Sequence, residues 1–139
     1  MKYLLMIQSR QSDYEAMGGG EPVSGARWTK DDIRAMVEHM SSLNTELAET
    51  GELIDAHGLA EPAQTRQVVG SRDGRPVLSD TPYGTSHEVL AGYWLLECVD
   101  IERATRIAAR VKECPQPAGA PDYPVLVRPV PDTPPSPDE

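Results

Sequence analysis

The chain has 139 residues, with 13 lysines and arginines against 22 aspartates and glutamates, and a formal net charge of −9. This length gives room for one core and excludes a second domain of ordinary size. The acidic balance disfavours nucleic acid and anionic membrane surfaces as partners, because both are negatively charged.

The N-terminal segment from Lys2 to Gln8 is apolar without an alternating polar face, which predicts a strand covered on both sides. It lacks the cleavage site of a secretory signal, and no segment approaches the roughly eighteen apolar residues of a membrane span. We therefore expect a cytoplasmic protein. Residues 9–28 are rich in glycine, serine, glutamine and glutamate and predict a flexible loop insertion.

A helix is predicted to begin at Thr29, because its hydroxyl can cap the backbone while Asp32, three residues on, reaches back. Apolar residues then recur at helical spacing, and Gly51 supplies the left-handed residue that ends such a helix. Asn44 falls near the centre of this apolar stripe. Its amide must find a hydrogen-bond partner, either in the backbone of the sheet or of a loop, or in a ligand.

Four further strands are predicted, at residues 53–56, 65–69, 76–78 and 89–99, with the Asp-Gly pair at 73–74 forming a turn between the second and third of these. Asp100 then caps a second helix, whose predicted core face is formed by Ile101, Ala104, Ala108 and Val111. A last strand is expected at residues 125–127. The proline-rich residues 131–139 predict a disordered tail.

This order of elements predicts an α+β, ferredoxin-like βαββαβ fold with two helices on one face of an antiparallel sheet. The first strand and residues 89–99 are apolar on both faces, so one face of the sheet would remain bare in a monomer. We therefore expect the chain to form a homodimer through that face.

Residues 80–83 (Asp-Thr-Pro-Tyr) and 87–93 (His-Glu-Val-Leu-Ala-Gly-Tyr) resemble the DGPF signature region of YCII-related proteins. Residues 1–5, 58–62 and 127–130 are similar to the opening strand, the Gly-Leu-x-x-Pro turn and the closing strand of that family. The similarity covers a domain at residues 1–130. It departs from the family at Thr81, Tyr83 and His87, where glycine, phenylalanine and lysine are usual.

This resemblance implies a dimeric α+β barrel, in which two sheets face each other and leave a cleft on each subunit. Some relatives are linked to dehydrochlorination or isomerisation of ring compounds. The resemblance therefore implies a cofactor-free enzyme that performs acid–base chemistry of the isomerase or lyase type on a small organic molecule. The alternative is a non-catalytic dimer that binds a small ligand or has a regulatory role.

The predicted catalytic residues are Asp80 with His39 or His57, because a carboxylate–imidazole pair transfers protons near neutral pH. Asp80 is equally explained by a turn that bonds its own backbone, and the histidines by surface positions. The predicted ligand-binding residues are Tyr83, Asn44, Glu88 and Trp94. Tyr93 and Trp94 must point to opposite faces of their strand, and the sequence leaves open which of them faces the dimer cleft.

No cofactor or metal is expected, because the sequence contains no phosphate-binding glycine loop and no metal-ligand spacing. The two cysteines, Cys98 and Cys114, are too few for a disulfide framework and are expected to be reduced.

Overall fold

The computed structural model describes residues 1–19 and 27–137. The elements are β1 (Lys2–Ser9), α1 (Gln11–Met17), α2 (Lys30–Glu49), β2 (Leu53–Gly58), a short 3₁₀ helix (Pro62–Gln64), β3 (Gln67–Arg72), β4 (Arg75–Ser79), β5 (Val89–Glu97), α3 (Ile101–Lys112) and β6 (Leu126–Val130). The predicted glycine run continues beyond Gly19 outside the described residues. Residues 131–137 contain no helix or strand, and disorder of the tail stays a prediction.

Four strands form one antiparallel sheet in the order β2-β5-β1-β6, which is the ferredoxin-like arrangement of a split βαβ unit. Strands β3 and β4 form a separate two-stranded sheet. The predicted α+β, ferredoxin-like fold is confirmed.

The caps of α2 follow the sequence prediction. Thr29 Oγ1 accepts a hydrogen bond from the backbone N–H of Asp32, and Asp32 Oδ2 accepts one from the N–H of Thr29, at 3.1 and 2.9 Å. Gly51, just after the helix, has φ +80°, which favours glycine. Asp100 caps α3 in the same way, since its Oδ1 accepts from the N–H of Arg103 at 2.9 Å.

The helix α1 lies inside the segment that was predicted to be a loop, so that prediction is wrong for Gln11–Met17. Contacts with distant turns stabilise this helix of two turns, and local composition does not show them. The N–H of Gln11 donates to the backbone oxygen of Gly84 at 2.9 Å. Gly84 has φ +77°, and a Cβ there would lie 2.7 Å from Pro62 Cβ, so only glycine fits beside this anchor.

The helices α2 and α3 cover one face of the sheet and enclose the core. Its most deeply buried large side chains are Leu5, Leu43, Leu47, Leu96 and Ile107. The predicted core face of α3 needs one correction, because Ile101 is exposed while Ile107 is fully buried. Ile101 is the first residue of the helix, where fewer neighbouring turns are available to cover its side chain.

The order of exposure along β5 settles which aromatic ring lies where. Trp94 is buried in the core under the helices, whereas Tyr93 lies on the opposite face. We call that opposite face the open face. It carries Leu4 and Met6 of β1 and Leu95 of β5, all half-buried within the single chain.

Candidate functional site

A cavity of about 390 Å³ lies between α1, the first half of α2, the end of α3 and the loop that leads to β6. Its wall is mainly apolar and rich in methionine. The apolar lining includes Met17, Trp28, Met36, Met40, Val111 and Val125. Methionine side chains are flexible and polarisable, so this wall can adapt to apolar ligands of different shapes.

One end of the cavity is polar, and the carboxylate of Asp13 is its centre. Tyr123 Oη donates to Asp13 Oδ2 at 2.9 Å, the backbone N–H of Arg10 donates to the same oxygen at 2.8 Å, and Ser9 Oγ lies 3.4 Å from it. Among the described residues, none of these donors reaches Oδ1. One carboxylate oxygen is therefore held in place and the other is available for a ligand.

Tyr123 acts at this site as a hydrogen-bond donor. Burial, reinforced by the hydrogen bond to Asp13 and its negative charge, raises the pKa of Tyr123 to about 12. The phenol therefore remains protonated at neutral pH.

Tyr14 holds α1 against the sheet at the floor of the cavity. Its hydroxyl lies 3.0 Å from the backbone oxygen of Leu59 and 3.2 Å from that of Ala91, so the two carbonyls share one donated proton. Burial raises the pKa of Tyr14. Ala91 is the extra residue of a β-bulge, where the register between β1 and β5 shifts.

The cation at the rim is already paired within the chain. Lys112 Nζ contacts the carboxylate of Asp122 and donates to the backbone oxygen of Tyr123 at 2.9 Å. These contacts fix the loop that carries Tyr123. Cys114 also lines the cavity, and burial raises the pKa of its thiol, so it is not an activated nucleophile.

The structure does not bring Asp80 together with a histidine. Asp80 is exposed and lines a smaller recess of about 260 Å³ with Tyr83. No histidine of the described chain is hydrogen-bonded to it. His39 instead donates from Nε2 to the backbone oxygen of Arg110 at 2.8 Å, which joins α2 to α3.

His57 does have a carboxylate partner, but this partner is Asp55. His57 Nε2 lies 2.9 Å from Asp55 Oδ1, and Tyr93 Oη donates to Asp55 Oδ2 at 3.1 Å. The rings of His57 and Tyr93 meet edge to face, with centroids 6.0 Å apart. This network lies on the open face, and both His57 and Asp55 are well exposed in the single chain.

The remaining predicted ligand-binding residues lie outside the cavity. Trp94 Nε1 donates to Asn44 Oδ1 at 2.7 Å, so the half-buried amide of Asn44 has the ring of a core residue as its partner. Glu88 Oε2 lies 3.2 Å from Arg10 Nη2. A hydrogen bond from its own backbone, together with this arginine, lowers the pKa of Glu88.

The sequence analysis missed Asp13, Tyr14 and Tyr123. Asp13 stands three residues after Arg10, a spacing typical of a helix start, and the segment 11–17 contains no glycine or proline. These features favour a helix, but the glycine run that follows favours a loop more strongly. Tyr123 lies in a proline-rich stretch, and nothing local indicates that its hydroxyl meets Asp13.

In the part of the chain that the structure describes, no group of three or more histidine, cysteine, aspartate or glutamate side chains is placed to hold a metal ion. None of the described helices has both the length and the apolar character needed to cross a membrane.

The sheet order, the signature turn and the cavity can now be compared with known proteins. The family model of the YCII-related domain matches residues 1–126. The chain belongs to the YCII-related family. The match extends from β1 to the first residue of β6, so α1 and the cavity lie within the YCII-related domain. Among curated proteins, none matches this chain.

Proposed function

We propose that this YCII-related protein is a homodimer that binds a small, largely apolar organic molecule and transfers a proton on it without a cofactor. The observation that carries this proposal is the Asp13–Tyr123 pair at the polar end of an otherwise apolar cavity. An apolar pocket with a few convergent polar groups is the usual form of a small-molecule site. The ligand is expected to be neutral, because the rim cation is paired with Asp122.

In this proposal Asp13 Oδ1 is the general base. It takes a proton from a carbon next to a carbonyl group. The electron pair of the C–H bond then forms the C=C bond of an enolate, and the π pair of the C=O bond moves to the carbonyl oxygen. The amide of Gln8, which also lines the cavity, supplies a donor to that oxygen. Where the substrate has a C=C bond next to that carbon, the product of this step is a dienolate, and return of the proton to its far carbon completes an isomerisation. Tyr123 keeps its own proton and orients the carboxylate.

The homodimer is supported by the composition of the open face. Leu4, Met6 and Leu95 form an apolar strip that none of the helices in residues 1–19 and 27–137 covers. Lys2 and Glu97 are register partners on the same face, so it carries both signs of charge. A second copy related by a two-fold axis presents the same mixed surface and can pair with it.

The alternative function is binding without catalysis. It is favoured by one observation, since the hydrogen bond from the N–H of Arg10 makes Asp13 part of the N-terminal cap of α1. Under this alternative Asp13 holds the wall of the cavity and takes no part in chemistry.

Solvent deuterium exchange on a neutral ring ketone separates the two functions. The probe is 2-indanone, whose carbon acids exchange slowly in buffer, and NMR measures both its binding and the loss of its α-proton signals. We expect wild-type protein to accelerate exchange and Asp13→Asn to lower the rate by about 10²-fold or more. Asp31→Asn is the matched control, because it removes an exposed carboxylate from the first turn of α2 that does not line the cavity. Binding without any acceleration by the wild type would establish the alternative.

Light scattering on a sizing column tests the homodimer independently. We expect a mass of twice the chain at micromolar concentration. A monomer at all accessible concentrations would refute this part of the proposal and leave the cavity assignment standing.

A further inference from the structure

The hairpin of β3 and β4 is an arm that forms no strand pairing with the four-stranded sheet in the described part of the chain. We define the arm as residues 66–79, which pair only with each other in a two-stranded sheet. An isolated hairpin of two strands is marginally stable in water and usually needs a third strand or a packing surface. The Asp73-Gly74 turn at its tip has φ +53° and +78°, as expected for a tight hairpin.

The arm exposes apolar side chains that would ordinarily be covered. Val68 and Leu78 are register partners across the two strands and are 63% and 47% exposed. Val69, at the irregularity in the pairing, is 66% exposed. Val68 and Leu78 form an exposed apolar patch on an element that has no core of its own.

The charge of the arm is opposite to that of the molecule. The arm contains Arg66, Arg72 and Arg75 against the single acid Asp73, so it is basic. The whole chain has a net charge of −9, so the remainder of the chain is more acidic still. A second copy of this chain therefore offers an acidic surface to the arm, whereas an acidic protein repels nucleic acid as a whole.

The base of the arm is anchored firmly enough to orient it. Gln67 Nε2 donates to the backbone oxygen of Thr81, and Ser79 Oγ accepts from the N–H of Thr81. Nearby, Gln11 Oε1 accepts from the N–H of Ala63 at 2.8 Å and is itself buried. The arm therefore projects from a braced turn, and its exposed patch is presented in a defined direction.

We infer that the arm docks on an acidic surface of a second copy of this chain, covering Val68 and Leu78 and pairing its arginines with carboxylates of that copy. This inference rests on the proposed homodimer. It adds a second contact to the one made by the open face. Such an exchange of arms accounts for an apolar, basic hairpin on an acidic protein.

Limited digestion with trypsin tests the docking directly. Arg72 lies at the tip of the arm, and the bond that follows it is the reporter, since the bond after Arg75 precedes a proline and resists the enzyme. We expect cleavage of the wild-type protein after Arg72 to be about tenfold slower or more at concentrations where the protein is dimeric than at concentrations where it is monomeric. If the dimer were cleaved at the same rate as the monomer, the docking of the arm would be refuted, while the proposed dimer through the open face would stand.

Substitutions in the patch provide the second test. The double variant Val68→Asp with Leu78→Asp should raise the dimer dissociation constant about tenfold or more, measured by sedimentation. The matched control is Val37→Asp with Val99→Asp, because both valines are exposed outside the arm. An equal effect of the control pair would contradict the inference.

A charge reversal at the tip avoids any loss of folding in the patch. Arg72→Glu with Arg75→Glu should weaken the dimer severalfold at low salt and by less at high salt, because surface charges are screened. The same reversal at Arg34 and Arg106, on the helices, is expected to have no such effect. A wild-type protein that stays monomeric would refute both the proposed homodimer and the docking of the arm.

Discussion

The two faces of the four-stranded sheet are made of alternating residues of the same strands, and adjacent side chains on β5 meet opposite surroundings. Trp94 is buried under the helices, and its ring N–H is satisfied by Asn44 inside the core. Tyr93, the preceding residue, donates to Asp55 in a network that includes the exposed His57. The polar atom of Trp94 is thus paired beneath the helices with a half-buried amide, while the network on the open face includes an exposed histidine.

This difference distinguishes the side chains that pack in the core of the single chain from apolar side chains that stay partly accessible. On the helix face every large side chain contributes to one continuous core. On the open face the apolar strip of Leu4, Met6 and Leu95 is half-covered. The sheet is therefore covered on its helix face and only partly covered on its open face.

The largest expected effect comes from truncating one side chain on each face of β1. Leu5→Ala should lower the free energy of unfolding by about 2–5 kcal/mol, because Leu5 is fully buried and leaves a cavity. Leu4→Ala, its neighbour on the open face, should cost less than half as much in dilute solution. Urea denaturation measures both. Equal losses at high dilution would mean that the open face is packed as tightly as the core without a partner.

A second pair of substitutions compares the polar contacts of the two faces. Asn44→Ala should cost about 1–3 kcal/mol, because it leaves the buried indole N–H of Trp94 without an acceptor. Asn44→Asp, which keeps an oxygen there, should recover part of the loss. Tyr93→Phe should cost about 0.5–1.5 kcal/mol, since Asp55 can bond to water instead. Thermal or urea unfolding measures both losses. A larger loss for Tyr93→Phe than for Asn44→Ala would contradict the comparison.

The pH dependence of stability tests an ion pair on the helix side. Arg103 donates to both carboxylate oxygens of Glu52, each at 2.8 Å, and this bond holds the pKa of Glu52 at about 2, below its ordinary 4.5. A lowered pKa in the folded state means that the contribution is complete above about 4.5 and is lost as the pH falls towards about 2.

This contribution of Glu52 is expected to be about 1–3 kcal/mol. Glu52→Gln should remove it, so that the variant loses less stability than the wild type between those two pH values. Urea midpoints measured across the acid range give the result. Identical acid profiles for the two proteins would show that this pair does not govern acid stability.

The smallest expected effect concerns the anchor of α1. Tyr14→Phe removes the proton shared by the carbonyls of Leu59 and Ala91, and should cost about 0.5–1.5 kcal/mol. Because α1 is short, we expect the loss to appear mainly as faster amide exchange within Gln11–Met17. Tyr93→Phe serves as the control, since it removes a tyrosine hydroxyl that bonds to Asp55 on the open face and not to the anchor of α1. Unchanged exchange in α1 would mean that the bond between Gln11 and Gly84 is sufficient to hold it.

The helix starts at Thr29 and Asp100, the turn at Asp73-Gly74 and the order of the elements could be predicted because each depends on neighbouring residues. The same is true of the need of Asn44 for a partner, although not of the identity of that partner. The helix α1 escaped prediction because Gln11 and Tyr14 bond to Gly84, Leu59 and Ala91, which are distant in sequence.

The candidate site shows the same division. A pair of Asp80 with His39 or His57 was predicted because these residue types can exchange protons. The structure instead pairs His57 with Asp55, two residues away on β2, and Asp80 lies apart from both histidines. The Asp13–Tyr123 bond joins residues that are 110 positions apart. Short-range pattern holds no information about such a pair.

The sequence by itself determined the fold class, the family, the caps of α2 and α3 and the two-sided apolar character of β1 and β5. These depend on hydrophobic period, capping chemistry and turn residues, which act over a few positions. Only the tertiary structure decided that Trp94 faces the helices, that α1 exists, and that Asp13 meets Tyr123 at the end of a cavity. Those outcomes depend on which segments, distant in sequence, the folded chain brings within hydrogen-bond distance.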